Sequence, residues 1–167
     1  MMTIEERLRN CKTKEYFVGG YRVLTLADSL FTFRKAFGSV VKPMPCLYSH
    51  EDSAKGTETL LVILPNECCE NYTEDMINFI VHRELSFYLT SDDDEDRITK
   101  EINADTYALK HTGLSGEIIQ KIYETTRNTM NETCGNLFCM WAMHRTKKDL
   151  PFRLKALEEK GLSGETQ

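Results

Sequence analysis

The sequence predicts an α+β protein in which a small antiparallel β-sheet precedes a bundle of helices. Near the N-terminus, two short strand-like segments flank Gly19-Gly20, a pair that tolerates the positive φ values of a tight hairpin turn. Residues 57–64 form a further segment of strand length, and its last five residues are apolar. After residue 73, apolar residues recur at three- and four-residue steps, which is the spacing of helices packed on a core.

The N-terminal third is predicted to contain two helices and four strands. The predicted helices cover residues 2–10 and 29–37, and the predicted strands cover residues 16–18, 21–26, 46–50 and 57–64. Asp28 is a suitable N-cap for the second helix, and Gly38 is suitable to end it. The last two strands are expected to pair around residues 51–56, which are rich in turn formers.

Five helices are predicted in the remainder of the chain. They cover residues 73–90, 97–112, 115–130, 132–145 and 150–160. The acidic run at residues 91–96 could hold a cation or cap the next helix; because it lacks the glycine of a calcium loop, we interpret it as a cap. Gly113 and Gly161 are expected to follow helix ends, and Pro151 is expected in the first turn of the last helix.

Composition is consistent with one domain over residues 1–167. The chain has 167 residues, of which 41% are hydrophobic, enough for a single core. Within it, residues 1–56 form an N-terminal hairpin and helix region, residues 57–160 the core, and residues 161–167 a tail. The net charge of −5 and the lack of a basic stripe argue against a nucleic-acid partner.

No segment of the sequence predicts association with a membrane. The longest apolar run is about six residues, far short of the roughly 20 needed to span a bilayer. The opening residues are charged rather than apolar, so no secretory signal is predicted, and we expect a soluble, cytoplasmic protein. The six cysteines include no Cys-x-x-Cys pair, and we interpret them as reduced thiols that behave as small hydrophobic residues.

Residues 81–87 have the frame of a zinc-peptidase helix without its histidines. In a His-Glu-x-x-His helix, two imidazoles one turn apart bind a metal while the glutamate between them activates a water. Here Glu84 occupies the glutamate position, whereas the ligand positions hold Arg83 and Phe87. An arginine is always charged and repels a dication, and a phenyl ring donates no lone pair. The sequence therefore predicts the scaffold of such a site without its metal.

A second element strengthens this interpretation. The segment beginning Glu101-Ile-Asn-Ala-Asp105 resembles the Glu-x-x-Ala-Asp element of the gluzincin metallopeptidases, in which the glutamate is the third zinc ligand. Residues 57–65 look like the edge strand of that family, and residues 144–158 are similar to its closing helix. Together the resemblance covers roughly residues 57–160. It is nearest to the soluble minigluzincins and to the peptidase domains of the membrane-bound CAAX-processing and stress peptidases.

The resemblance implies a zincin-like fold and a role for each matching residue. Arg83, Phe87 and Glu101 would be former metal-ligand positions, Glu84 a vestigial general base, and Asp105 the carboxylate that supports the first ligand. A buried Glu101 without a metal would be an uncompensated anion. We therefore predict that Arg83 forms an ion cluster with Glu101 and Asp105 where the metal would lie, and that Phe87 fills the remaining space.

The expected function is that of a catalytically inactive, metallopeptidase-like protein that binds a protein or peptide partner. Peptidase clefts bind extended peptides along an edge strand, here through Leu60, Val62 and Leu64. No metal or other cofactor is expected. The alternative is an unconventional metal-dependent peptidase with Glu84 as general base and an atypical zinc site, for which His82, Glu84 and Glu101 are candidate ligands.

Other interpretations remain open at this point. The chain could be a remnant whose role lies in a larger complex, and a viral or phage origin would suit a short, diverged peptidase-like protein. Apolar residues around Trp141 lie at helical spacing and are expected in the core, with a partner-binding groove as the alternative. No nucleophile elbow, phosphate-binding loop or dinucleotide fingerprint is present in the sequence.

Overall fold

The computed structural model describes residues 14–28, 46–52, 57–65, 70–90, 94–133 and 137–163. The predicted helices at residues 2–10 and 29–37 and the side chain of Trp141 lie outside this part of the chain, as do the cysteine side chains. The chain divides into two compact units, residues 1–70 and 71–167. The first contains the described strands and the second the described helices, which confirms the α+β class.

The described strands form a four-stranded sheet in the order β1-β2-β4-β3. The strands are β1 (Lys14–Val18), β2 (Tyr21–Asp28), β3 (Cys46–Asp52) and β4 (Thr57–Pro65). β1 and β2 form the predicted hairpin, and Gly19 and Gly20 adopt φ values of 57° and 84° in its turn. β3 and β4 pair antiparallel, also as predicted.

The pairing of β2 with β4 is parallel, so the prediction of a wholly antiparallel sheet was wrong. The reason lies in the composition of β4, whose five consecutive apolar residues are buried: Leu60, Leu61, Val62, Ile63 and Leu64. Successive residues of a strand point to opposite faces, so a continuous apolar run is suited to a strand covered on both faces inside a sheet. Such a position requires a neighbour on each side, here β2 and β3.

This topology also corrects the prediction that residues 57–64 form an edge strand. β4 is an interior strand whose backbone is hydrogen-bonded to β2 on one side and β3 on the other. The three residues proposed to contact a peptide, Leu60, Val62 and Leu64, are at most 1% exposed. A peptide cannot add to this strand by backbone pairing, because both of its sides are already paired.

The second unit contains four described helices. They are α1 (Glu74–Leu89), α2 (Arg97–Thr112), α3 (Glu117–Thr133) and α4 (Leu137–Glu159). α1 and α2 pack closely. Val81 and Leu85 of α1 are buried, as are Ala104 and Ala108 of α2. The two alanines allow close approach of the helix backbones, which brings polar side chains on adjoining turns within reach of one another.

Side chains cap the N-terminal ends of α1 and α2. The Thr73 hydroxyl accepts a hydrogen bond from the Met76 N–H at the start of α1. At the start of α2, the Asp96 carboxylate accepts from the N–H groups of Ile98 and Thr99 at 3.0 and 3.1 Å. The last residue of the acidic run thus acts as the predicted cap, and hydrogen bonds from Thr99 lower the pKa of Asp96.

α4 is one continuous helix, although the sequence predicted separate helices at residues 132–145 and 150–160. Pro151 lies inside it rather than in a first turn. The residues just before the proline are held by tertiary contacts: Leu150 is buried, and the buried Asp149 accepts a hydrogen bond from Arg97 of α2. These contacts keep the backbone helical where local sequence favours a break.

Among the described residues, no helix is long and apolar enough to cross a membrane.

Candidate functional site

Arg83 projects from the middle of α1 toward α2, and its side chain is 13% exposed. Its guanidinium contacts three carboxylates. Nε donates to Asp105 Oδ1 at 2.8 Å, Nη1 donates to Glu84 Oε1 at 3.1 Å, and Nη2 donates to Glu101 Oε2. Three hydrogen-bonding directions of the planar guanidinium are therefore used, which fixes its orientation between the helices.

Helical periodicity explains why these groups meet. Glu101 and Asp105 are four residues apart on α2 and lie on one face, as do Arg83 and Phe87 on α1. The Arg83 guanidinium carbon lies 5.0 Å from the centre of the Phe87 ring, within the range of a cation–π contact. The predicted contacts of Arg83 with Glu101 and Asp105 are confirmed. Replacement of a metal by this cluster stays a prediction.

Arg153 is the member of the cluster that sequence reasoning missed. Extending from α4, it donates from Nε to Asp105 Oδ2 at 2.7 Å and from Nη2 to Asp105 Oδ1 at 2.8 Å. Its Nη1 lies 3.8 Å from Glu101 Oε2. The signal was the excess of carboxylates: two were expected around a single arginine, and a buried excess of negative charge requires a second cation.

We call the five residues Arg83, Glu84, Glu101, Asp105 and Arg153 the arginine cluster. Asp105 is fully buried and lies at its centre, whereas the Glu101 side chain is 26% exposed. Burial by itself would lower the pKa of Arg83. The charges of Glu101, Asp105 and Glu84 outweigh that effect, and the pKa of Arg83 is raised above its usual value. Arg83 is therefore a permanent cation in this site.

The arrangement is suited to ionic bridging of helices rather than to coordination. Arg83 presents hydrogen-bond donors, and Glu101 Oε2, which would be a metal ligand in the gluzincin frame, is bonded to one of them. Among the described residues, no group of three or more His, Cys, Asp and Glu side chains is placed to hold a metal ion. In particular, His82 does not join Glu84 and Glu101, because its Nδ1 bonds the Asn78 carbonyl and its ring faces His111.

The remaining sequence-predicted residues are not members of the arginine cluster. Leu60, Val62 and Leu64 belong to the sheet of the first unit and are buried there. His144 is exposed on α4, and the side chain of His50 lies outside the described residues.

Comparison of the chain with known protein families, curated proteins and solved structures found no match. The resemblance to the gluzincins therefore stays a prediction from the sequence of residues 81–87 and 101–105.

Proposed function

We propose that this chain is a metallopeptidase-like protein that works without a catalytic metal and acts by binding a protein or peptide. One observation carries the proposal: the Arg83 guanidinium lies between α1 and α2 and contacts Glu84, Glu101 and Asp105. These are the carboxylates that, in the gluzincin frame, would be the general base, the third ligand and the supporting group.

The charge balance of the site supports this proposal. In an active gluzincin, a dication would neutralise carboxylates between two facing helices. Here two guanidinium groups contact the same carboxylates, so the helices can pack without a metal. Loss of the metal then removes the catalytic chemistry and leaves the fold. The guanidinium groups neutralise carboxylates that would cost several kcal/mol to bury without a partner.

A binding surface must lie elsewhere than on β4, which is interior to its sheet. Within the helical unit, α1 and α2 border an open groove of about 780 Å³. Its wall mixes apolar and polar side chains, including Leu89, Tyr107 and Lys110. Such a mixture is typical of sites that bind a peptide through a few anchors and several hydrogen bonds.

The experiment that tests this function restores the missing ligands. Tag-free wild-type protein is expected to contain no stoichiometric zinc and to leave fluorescein-labelled casein intact. The variant R83H/F87H is expected to gain one zinc ion through the two histidines and Glu101, and the further change E101Q is expected to abolish that gain. Failure of R83H/F87H to gain zinc, although it folds with the wild-type circular dichroism spectrum, would contradict the gluzincin frame.

The binding role needs its own measurement. Random peptides displayed on phage and selected on the wild-type protein should yield peptides whose affinity falls when Tyr107 is changed to alanine. Lys147, an exposed residue of α4, provides the control substitution K147A. If the wild-type protein instead contains stoichiometric zinc that is lost in E101A, the result supports a metal-dependent peptidase with Glu84 as general base.

A further inference from the structure

The groove between α1 and α2 carries opposite charges at its two ends. Glu95 lines one end, where its carboxylate accepts hydrogen bonds from the side-chain amide of Asn103 at 3.1 and 3.3 Å. Lys110 lines the other end, about two turns further along α2. Both charged side chains are exposed, and neither has an ion-pair partner within the part of the chain that the structure describes. Both charges are therefore available to a bound molecule.

A second lysine strengthens the basic end of the groove. Lys160, which follows α4, donates from Nζ to the Thr106 hydroxyl at 3.2 Å. Thr106 and Lys110 are four residues apart on α2, so they lie on the same face of that helix. The Lys160 ammonium group is thus within about one turn of Lys110, and the two positive charges can act on the same carboxylate.

The middle of the groove presents apolar surface. Tyr107 lies between Asn103 and Lys110 on α2, and its ring stacks on His111 with the ring centroids 3.9 Å apart. This stacking restrains the tyrosine ring, so little side-chain entropy is lost when a ligand packs against it. Leu89 of α1, which is 40% exposed, adds aliphatic surface to the groove. An apolar side chain can therefore pack between the two charged ends.

The distance between the charged ends selects the spacing of a peptide ligand. From Asn103, which holds the Glu95 carboxylate, to Lys110 is a rise of about 10.5 Å along the helix axis. An extended peptide advances by about 3.3 Å per residue, so three residue steps cover about 10 Å. Two oppositely charged side chains three positions apart would therefore reach both ends at once.

We propose that this groove binds an extended peptide segment in which a basic and an acidic residue are three positions apart, with an apolar residue between them. The basic residue contacts Glu95, the acidic residue contacts Lys110 and Lys160, and the apolar side chain packs on Tyr107. Charges at the rim of a site chiefly determine which ligand is accepted, because a like charge in the same place is repelled. The inference rests on the proposed function and specifies the peptide that it requires.

Fluorescence anisotropy with three capped, fluorescein-labelled hexapeptides tests the proposal. The wild type should bind the peptide AKLFEA about fivefold or more tightly than AKLFKA or AELFEA, in which one charge has the wrong sign. K110E should lose the preference for AKLFEA over AKLFKA, and E95K should lose the preference for AKLFEA over AELFEA. K147E reverses an exposed charge of α4 outside the groove, and this matched control should keep the wild-type order of affinities.

Equal affinity of the wild type for the three peptides would overturn the inference, as would a lack of binding to AKLFEA. An unchanged order of affinities in K110E or in E95K, with the wild-type circular dichroism spectrum, would also overturn it. The proposed function is judged separately. Peptides that bind without regard to charge but lose affinity in Y107A would leave that function supported, whereas selection from the phage library that yields no binder would count against it.

Discussion

Asp105 is fully buried, and its carboxylate binds arginines from two different helices. Arg153 occupies both of its oxygens, and Arg83 shares one of them. At the residue scale the arginine cluster is therefore asymmetric. Asp105 has two cationic partners, whereas Glu101 depends chiefly on Arg83, because Arg153 is 3.8 Å away from it.

This asymmetry predicts the result of a double-mutant cycle. R83M should lower the free energy of unfolding by about 2–3 kcal/mol, because Glu101 loses its main cation while Asp105 keeps Arg153. R83M/E101Q should recover about 1 kcal/mol or more of that loss, since the Glu101 side chain is then neutral. Urea unfolding followed by circular dichroism measures both values.

Lys155 of α4 is exposed, and K155M is the control for removing a cation outside the cluster. It should change the stability by less than about 0.5 kcal/mol. Simple additivity of the R83M and E101Q effects would show that Arg83 and Glu101 do not interact in solution.

At the scale of helices, a second ion pair joins α2 to α4. Arg97 donates to the buried Asp149, and this hydrogen bond is the main reason that the pKa of Asp149 lies below its usual value. The arginine is 41% exposed, so solvent screens the interaction. Because Asp149 is beside the point where two helices were predicted to meet, the pair also helps to explain why α4 is continuous.

The lowered pKa gives a pH dependence of known sign. A carboxylate with a lowered pKa stabilises the folded state above its unfolded pKa, about 3.9 for aspartate, and this stabilisation is lost as the pH falls through the folded pKa. R97M should therefore be less stable than wild type by up to about 1 kcal/mol at neutral pH. The difference should shrink below about pH 4. Urea unfolding across this pH range measures it, with K110M, at an exposed lysine of α2, as the control.

Two glycines at helix ends are expected to tolerate alanine poorly, for different reasons. Gly161 follows α4 with φ near 70°, and nothing would touch an added Cβ, so G161A should cost about 1–2 kcal/mol through backbone strain alone. At Gly116, just before α3, an added Cβ would lie 3.2 Å from the Leu162 carbonyl oxygen. G116A should be destabilising because a backbone atom must move.

Thermal unfolding measures the loss of stability in G161A and in G116A. G113A is the matched control for G161A, since Gly113 has φ of 69° and equally open surroundings, and the two should lose similar stability. A G116A variant as stable as wild type would show that the 161–163 segment shifts without cost.

At the scale of the whole molecule, the arginine cluster predicts that stability is independent of metal. EDTA should leave the melting temperature of the wild type unchanged, because Arg83 and Arg153 supply the positive charge between the helices. R83H/F87H should instead melt at a higher temperature when zinc is added, since a ligand that binds the folded state stabilises it. A wild-type protein that loses stability in EDTA would contradict this prediction.

The hairpin, the limits of α1 and α2, and the contacts of Arg83 with Glu101 and Asp105 could be predicted from the sequence. The hairpin and the helix limits depend on local signals, namely a Gly-Gly turn and capping residues. The contacts of Arg83 were instead expected from the resemblance of residues 81–87 and 101–105 to the gluzincin elements, and the four-residue spacing of Glu101 and Asp105 puts both carboxylates on one face of α2. Even the cap formed by Asp96 follows from its position before an apolar periodic segment.

Three features were decided only by the tertiary structure. β4 is interior and parallel to β2, α4 continues through Pro151, and Arg153 completes the arginine cluster from a distance of 48 residues. Each depends on contacts between residues that are far apart in the chain. The free energy of these contacts exceeds the local conformational preference, and the contacts leave no periodic pattern in the sequence. Local spacing thus determined which charges would gather on the faces of α1 and α2, and packing determined which distant side chain would neutralise them.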